Sequence, residues 1–321
     1  MNQDRRKFIK HATGIGAAMI AAPVTLTAGT GHTGTVTQRG EEASRTRKAT
    51  TFKLKYAPFM DMFKESAGTN DPIVNISFCH DNGFRAMFDN GLLGRPKSEQ
   101  EKIAAHMQKL GMEMGPFVLY ADFSVTSFVL NKPEVREMLV NRMKEGVELA
   151  KRTGVKWALV VPGRYDDRLH WDFQTANVID NLRYCCDILE PAGLTMVLEP
   201  LNTMRDHPGL FLTGIPQTYA ICRAVNRTVC KIVNDMYHQQ ITEGNIIPNI
   251  DAAWSEIAAF HIGDNPGRNE PTSGEINYRN IFKHIHDKGY QGVLCMEHGK
   301  SIKGKDGEER LLKAYKECDN F

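Results

Sequence analysis

The sequence contains little of what marks nucleic-acid-binding, disulfide-rich or nucleotide-binding proteins. Its formal net charge is only +2 over 321 residues, so we expect no bulk electrostatic attraction to nucleic acid. Its seven cysteines are odd in number, form no CxxC pair and follow no zinc-finger spacing, which argues against a disulfide framework. No GxGxxG or Walker sequence occurs, so the usual signals for a phosphate-binding loop are missing. We therefore expect buried free thiols and no nucleic-acid partner.

A long apolar run is also lacking, and one weakly apolar stretch lies near the N-terminus. Residues 14–27 are rich in Ala and Gly and follow the charged segment 4–10. They are too short, and too often interrupted by Gly and Pro, to span a bilayer as a stable anchor. A charged region, an apolar region and small residues near Ala28 are the layout of a secretory signal, which we predict over residues 1–28.

The arginine pair at positions 5–6, followed by Phe-Ile-Lys at positions 8–10, resembles a twin-arginine signal. We therefore expect the twin-arginine export machinery as a partner and a periplasmic or exported location. A disordered basic tail is the alternative. Residues 29–50 have almost no apolar side chains and are predicted to form a flexible linker. The folded domain is then expected over residues 51–321.

Short apolar runs alternate with longer amphipathic segments from Phe52 to the C-terminus. Strands separated by helices predict a parallel sheet, and eight such units match an α/β fold of the (β/α)8 TIM-barrel type, typically ~250 residues long. A doubly wound sheet, the competing architecture, is expected to carry a glycine-rich phosphate turn after an early strand. The predicted strands are Phe52–Pro58, Phe84–Phe88, Met112–Leu119, Lys156–Val161, Thr195–Leu198, Val229–Val233, Ala258–Ile262 and Val293–Met296.

The predicted helices lie between and after these strands, and glycines such as Gly111 and Gly289 follow several of them. Glycine is favoured there because the residue that ends a helix often has a positive φ. Ser98 is expected to cap one helix, with Glu101 completing a capping box. The predicted helices are Pro72–Asp81, Ser98–Leu110, Pro133–Thr153, Phe173–Leu189, Pro216–Val225, Ile250–Glu256, Asn277–Asp287 and Leu311–Cys318.

Residues of metal-ligand type stand at four successive predicted strand ends, where active sites of such barrels form. Glu199, Asp235 and Glu297 follow the fifth, sixth and eighth strands, and His261 lies in the seventh. They are separated along the chain by 36, 26 and 36 residues, each about one β/α unit. Singly, each is more often a salt-bridge partner, a cap or a core histidine. Their coincidence favours one shared site.

Three carboxylates packed together would repel one another, and a divalent cation removes that cost. We therefore predict that Glu199, Asp235, His261 and Glu297 bind one divalent metal ion. An oxygen-rich set with a single imidazole suits Mn²⁺, Mg²⁺ or Co²⁺ better than metals that prefer thiolates, although Zn²⁺ is not excluded.

The tract HIGDNPGRNEPTSGEINY, with NDMYHQQITEGN and LEPLN before it, resembles hydroxypyruvate isomerase. More broadly, it is similar to the xylose-isomerase-like barrel superfamily, which includes the tagatose and psicose 3-epimerases. The resemblance covers roughly residues 52–300 and is strong over residues 195–300. It implies that the four residues bind one divalent metal and that Glu199 and Glu297 transfer protons. Hydroxypyruvate isomerases usually have Gln where this chain has His261, whereas the ketose epimerases have His.

The expected activity is a metal-dependent isomerase or epimerase that moves a proton on the carbon next to a carbonyl, through an enediolate stabilised by the metal. The substrate would be a small carbohydrate or a hydroxypyruvate-like keto-acid, and a homo-oligomer is possible. The resemblance implies that His238 touches substrate oxygens, with a supporting hydrogen bond beside the ligands as the alternative. We expect Arg268 to hold a substrate carboxylate or hydroxyl group through a bidentate contact. Asn202, near the end of the fifth strand, and Tyr56, at the substrate mouth, complete the expected contacts.

Other functions stay open from the sequence. A keto-sugar dehydratase or lyase could use the same metal site, because an enediolate can expel a β-hydroxyl group instead of being reprotonated. A non-catalytic sugar-binding barrel is another alternative. A metal-dependent phosphodiesterase would need additional His and Asp ligands and a basic groove, which the sequence does not indicate. The predicted export favours a free sugar, a keto-sugar or a glycoside over hydroxypyruvate.

Overall fold

The structure, a computed structural model, describes residues 51–321. The predicted signal over residues 1–28, its twin-arginine pair and the linker over residues 29–50 lie outside the described residues and stay predictions. Among the helices of the described part, none is long and apolar enough to cross a membrane.

Parallel strands form the centre of the described domain. The strands are β1 (Lys55–Ala57), β2 (Ala86–Met87), β3 (Glu113–Met114), β4 (Phe117–Ala121), β5 (Trp157–Val161), β6 (Thr195–Leu198), β7 (Cys230–Asp235), β8 (Ile257–Ile262) and β9 (Val293–Met296). Seven of them make one sheet in the order β1-β9-β8-β7-β6-β5-β4, and β2 pairs with β3. Every pair is parallel.

The two sheets are joined into a ring of strands. The backbone N–H of Phe88, just after β2, donates to the carbonyl of Pro58, just after β1, at 2.9 Å. On the other side of β2, Gly115 donates to the carbonyl of Met87 at 2.8 Å, and Gly115 lies between β3 and β4. Pairing therefore passes from β1 through β2, β3 and β4 to the rest of the sheet. The predicted α/β fold is confirmed as TIM-barrel-like.

The predicted third strand is divided into β3 and β4, and Gly115 between them is tightly packed against the barrel interior. A Cβ atom added to Gly115 would lie 2.8 Å from Sγ of Cys295 and 2.9 Å from Cβ of Phe88. Real Cβ atoms do not approach so closely, so only glycine fits this position. The predicted first strand is also shorter than expected, since only Lys55–Ala57 pairs with β9.

Helices connect the strands. They are α1 (Lys64–Ala67), α2 (Pro72–Asp81), α3 (Lys97–Leu110), α4 (Pro133–Thr153), α5 (Trp171–Leu189), α6 (Ile215–Val225), α7 (Met236–Thr242), α8 (Ile246–Ala253), α9 (Tyr278–Asp287) and α10 (Gly304–Cys318), with 3₁₀ turns at Leu92–Gly94, Glu190–Ala192 and Trp254–Glu256. The predicted bounds of α2 and α4 are confirmed. The last helix begins seven residues before the predicted Leu311.

Helices α3 and α7 differ from the sequence prediction. The predicted capping box is wrong, because α3 begins at Lys97 with Pro96 as its N-cap and Ser98 lies inside the first turn. The extended backbone of Pro96, with φ −53° and ψ 140°, already sets the entry to this helix. The short α7 was not predicted at all, since its seven residues are too few to show an apolar period.

Alanine, valine, leucine and cysteine side chains, together with Phe88, form the cluster in the barrel interior, while a separate set of apolar side chains packs between sheet and helices. The interior cluster includes Val197, Val233 and Ala259, and Phe260 and Ile262 of β8 belong to the layer beneath the helices. This division follows the two-residue alternation of a strand. As expected, all seven cysteines are buried free thiols.

Candidate metal centre

The four predicted ligands converge at one end of the barrel. One ligand atom from each of Glu199, Asp235, His261 and Glu297 lies within 4.8 Å of the corresponding atom of every other member. Each residue stands two positions beyond a side chain of the barrel interior, so it faces the same way one layer higher. The interior residues and the ligands that follow them are Val197 and Glu199, Val233 and Asp235, Ala259 and His261, and Cys295 and Glu297.

The two oxygens of the Asp235 carboxylate make different contacts. Asp235 ends β7 and caps α7, where its Oδ1 accepts the backbone N–H groups of Tyr237 at 2.8 Å and His238 at 3.1 Å. Such an N-cap satisfies amide groups that the helix itself leaves unpaired. Oδ2 remains for the centre of the site. Parallel pairing in register with His261 places the two side chains side by side.

His261 lies between two glutamates and is fully buried. Its Nδ1 is 2.9 Å from Oε1 of Glu199 and 3.1 Å from Oε2 of Glu297. Burial lowers the pKa of His261, but the adjacent charges of Glu297 and Glu199 outweigh it and raise that pKa well above its ordinary value. Because Nδ1 faces both carboxylates, it is the nitrogen placed to bind a cation in exchange for its proton.

The pKa values of the two glutamates are shifted in opposite directions. Burial, and then repulsion by Glu297, raises the pKa of Glu199 to about 7. Burial also acts to raise the pKa of Glu297, but the charges of His261 and Arg268 more than offset it and lower that pKa. Two carboxylates whose pKa values are pushed apart are suited to different acid–base roles.

Arg268 supplies a positive charge at the edge of this group. Its Nη2 donates to Oε2 of Glu297 at 2.8 Å and to Oδ2 of Asp235 at 3.2 Å. Its guanidinium carbon lies 4.8 Å from the ring centre of Tyr237, a cation–π contact. Arg268 has φ +49°, a left-handed backbone conformation uncommon for residues other than glycine and often associated with functional sites.

The donor set fits a divalent metal. Three carboxylates and one imidazole, buried except for Glu297, which is partly exposed, supply hard oxygen ligands with one nitrogen. The atoms placed to serve are Oε1 of Glu199 and Oε2 of Glu297 beside Nδ1 of His261, and Oδ2 of Asp235, the oxygen that does not cap α7. Their close approach would otherwise depend on shared protons and on Arg268 alone.

His238 and Asn202 form a buried pair beside the ligands. The amide Nδ2 of Asn202 is 2.6 Å from Nδ1 of His238 and donates to Asp206 at 2.8 Å. Burial lowers the pKa of His238 to about 4, so its ring is neutral, and accepting at Nδ1 places the proton on Nε2. That Nε2 is buried without a hydrogen-bond partner, 3.7 Å from Oδ2 of Asp235. Asn202 thus orients His238, and its expected contact with substrate stays a prediction.

The structure does not bring Tyr56 to the group, so the expectation that it lines a substrate mouth is wrong. Tyr56 is fully buried, its hydroxyl donates to Asp319 at 3.0 Å, and its ring packs against Phe282 and Tyr315. Its neighbour Ala57 belongs to the interior cluster, so alternation points Tyr56 outward to the helix layer. The three residues of β1 are too few for the sequence pattern to show which side chain points into the barrel and which points toward the helices.

Three residues of the site were missed from the sequence. Asn90 donates from Nδ2 to Oε1 of Glu297 at 2.7 Å. Tyr237 supports Arg268, and its hydroxyl donates to Oδ2 of Asp206 at 2.9 Å. The sequence carried a usable signal for Asn90, because it follows the second predicted strand as Glu199 and Glu297 follow theirs. The roles of Tyr237 and Asp206 depend on α7 and on a loop conformation that local patterns do not show.

Comparison with known proteins gives a consistent result. The family model described as a xylose isomerase-like TIM barrel matches residues 76–318. A putative hydroxypyruvate isomerase of Xenopus laevis is 34% identical over 185 residues, which is 55% of this chain and 66% of that protein. Hydroxypyruvate isomerase of Escherichia coli K12 is 36% identical over 123 residues, 38% of this chain and 47% of that protein. The matched part thus spans about half to two thirds of these relatives.

Solved structures show the same fold at low identity. An AP endonuclease of family 2 from Brucella melitensis superposes with a TM-score of 0.67 at 20% identity, covering 79% of this chain and 96% of that one. A 3-keto-D-glucoside 4-epimerase from Escherichia coli gives a TM-score of 0.66 at 19% identity, covering 83% of this chain and 100% of that one. At these identities the likeness speaks for the barrel alone.

Proposed function

The chain belongs to the xylose isomerase-like TIM barrel family, and from its site we propose that it is a divalent-metal-dependent isomerase or epimerase. It would move a proton on the carbon next to the carbonyl group of a keto-sugar or a hydroxypyruvate-like keto-acid. The observation that carries this proposal is the convergence of Glu199, Asp235, His261 and Glu297 within 4.8 Å. The relatives named as hydroxypyruvate isomerases support it.

Glu199 and Glu297 are the proposed acid and base. They come from β6 and β9, which are not neighbours in the sheet, so they approach a bound substrate from different sides. One glutamate removes the proton and either one returns it. Return from the opposite side gives an epimer, while return by the same glutamate to the neighbouring carbon gives an isomer. A bound divalent cation would stabilise the negative charge that develops on the adjacent substrate oxygens.

The surrounding residues would bind and orient the substrate. The Nε2–H of neutral His238 is a free donor close to Asp235, suited to a hydroxyl or carbonyl oxygen. Arg268 has five donors in a planar fork, and its side chain is 30% exposed, so it can contact both the ligands and an entering substrate. Asn90 fixes one oxygen of Glu297 and leaves the other toward the centre.

Two tests examine the proposal. Metal analysis of the purified protein should find about one divalent ion per chain, removable by chelator. Incubation in deuterated water with hydroxypyruvate, ketohexoses and 3-keto-glycosides should then place deuterium on the carbon next to the carbonyl without loss of water. Loss of water would support the dehydratase instead. Tight binding without deuterium uptake would support a sugar-binding barrel and contradict the proposal.

The matched variants are Glu199→Gln and Glu297→Gln against Glu275→Gln. Glu275 is a carboxylate of the loop after β8 that contacts Asn265 and Gln240 and lies outside the ligand group. Exchange should fall at least ~100-fold in the first two variants and stay near the wild-type value in the third. Wild-type exchange in a protein carrying both Gln substitutions would contradict the assignment of acid and base.

A further inference from the structure

A row of aromatic rings leads from the metal centre to the rim of the barrel. The ring centre of His238 is 5.3 Å from that of His207, and the ring centre of His207 is 4.6 Å from that of Phe123. The inner end of this row adjoins Asp235, which is 3.7 Å from Nε2 of His238. We call His238, His207 and Phe123 the ring shelf.

The outer end of the ring shelf is exposed yet firmly supported. Phe123 is 45% exposed and lies in the loop after β4. That loop is bridged to the loop after β5 between Thr126 and Gly163, and the β5 loop is bridged to the loop after β6 between Arg164 and Leu210. An exposed aromatic side chain next to a polar site offers an apolar surface to a small organic ligand.

A second aromatic wall flanks the centre. Phe88 lies 5.8 Å from His261 between ring centres, and Phe59 lies 4.0 Å from Phe88. Phe88 is fully buried while Phe59 is partly exposed. The polar centre therefore has apolar ring surfaces leading away from two of its members. Such a mixture of a few polar groups and aromatic walls is usual in sites for small organic ligands.

Building on the proposed function, we propose that the substrate is a ring-sized carbohydrate, a keto-hexose or a keto-glycoside, whose distal part lies against His207 and Phe123. A sugar ring offers apolar C–H faces that pack on aromatic rings and hydroxyl groups that bond at its edges. A three-carbon keto-acid held at the metal centre does not extend to Phe123, which lies two rings further out.

The charge state of His207 agrees with this use. Burial, and then the positive charge of Arg268, lowers the pKa of His207 below its ordinary value. At neutral pH its ring is therefore uncharged, which suits contact with the apolar face of a sugar.

The experiment compares substrates of different size in wild type, Phe123→Ala, Phe123→Tyr and Phe173→Ala. Phe173 is 62% exposed and contacts His170, so it matches Phe123 in type and exposure away from the ring shelf. For ketohexoses or methyl 3-keto-glucoside, kcat/KM for deuterium exchange should fall about two- to tenfold in Phe123→Ala. Phe123→Tyr and Phe173→Ala should stay within twofold of wild type, as should exchange of hydroxypyruvate in every variant.

The outcomes separate this inference from the proposed function. Exchange of hydroxypyruvate but of no ring-sized sugar, or an equal effect of Phe123→Ala on both, overturns the ring shelf and leaves the isomerase proposal standing. Without any exchange, saturation-transfer NMR that shows the keto-glucoside bound by wild type and not by Phe123→Ala supports the shelf while the proposed activity fails. Absence of both exchange and binding overturns both. A change in sedimentation mass with unchanged kinetics in Phe123→Ala assigns Phe123 to a contact between copies and overturns the shelf.

Discussion

A divalent cation bound at the proposed centre would compete with Arg268 for the same oxygens, and this gives a sharp test of that centre. The guanidinium bonds Asp235 and Glu297, two of the four proposed ligands. Replacing Arg268 by Met keeps most of the apolar stem but removes the guanidinium from both carboxylates, so that Glu297 keeps only His261 as a positively charged neighbour. In metal-free protein, therefore, Arg268→Met should lower stability, whereas a bound divalent ion should supply the missing charge.

The magnitude follows from the geometry. Removing one partner of a buried ion pair costs about 3–5 kcal/mol, and exposed pairs contribute about 1 kcal/mol or less. With its side chain 30% exposed, Arg268 should lie between these limits, at about 2–3 kcal/mol. For a chain of this size, about 2 °C of Tm corresponds to each kcal/mol, so Tm in the presence of chelator should fall by about 4–6 °C.

The assay is thermal unfolding with chelator and then with saturating Mn²⁺. A metal at 100 times its Kd stabilises the folded state by about 2.7 kcal/mol, and the gain should be larger in Arg268→Met because no guanidinium has to be displaced. The difference between wild type and variant should then shrink to half or less. An equal difference with and without Mn²⁺ would refute the reasoning.

Arg227→Met is the matched control. Arg227 also bonds two carboxylates, Asp187 and Glu190, at 2.6 Å each, but none of these residues belongs to the ligand group. Its effect on Tm should be small and the same with chelator and with Mn²⁺. A metal-dependent effect in this variant would show that the ions act on the fold in general.

Three further substitutions test individual contacts. Glu199→Gln should retain metal, measured by elemental analysis, while deuterium exchange falls by ~100-fold or more; retained exchange would exclude Glu199 as acid or base. Tyr237→Phe keeps the ring beneath Arg268 but loses the hydroxyl anchor, and kcat/KM should fall about three- to tenfold; wild-type kinetics would show that the anchor does not position Arg268. Tyr56→Phe leaves Asp319 without its buried donor and should cost about 1–3 kcal/mol in urea unfolding; loss of activity at unchanged stability would contradict its placement outside the site.

Local patterns were sufficient where a residue's role depends on its own strand or helix. The alternation of apolar runs with amphipathic segments predicted the parallel strands. The position of Glu199 and Glu297 directly after such runs predicted where they would stand. In a parallel barrel the C-terminal ends of all strands lie at the same face. A residue that follows a strand in the sequence is therefore expected at that face.

Local patterns failed where a role depends on a neighbour distant in sequence. Arg268 and Asn90 both donate hydrogen bonds to Glu297, and Asn90 is 207 residues away from it in the sequence. No spacing rule predicts such contacts. Tyr56 was assigned to the wrong face because three strand residues give too short an alternation to orient. In the same way, Pro96 rather than Ser98 caps α3, because proline had already fixed the backbone.

The sequence by itself determined the repeated β/α units and the chemical types of the four strand-end residues. The units follow from the local pattern of apolar residues, and the four residues are identified by their positions in or directly after the apolar runs. The tertiary structure decided that their ligand atoms lie within 4.8 Å, which oxygen of Asp235 caps α7 and which faces the centre, and that Arg268 is its cation. Those outcomes depend on barrel closure and on loop packing, because the interacting groups are far apart in sequence and meet only in the folded chain.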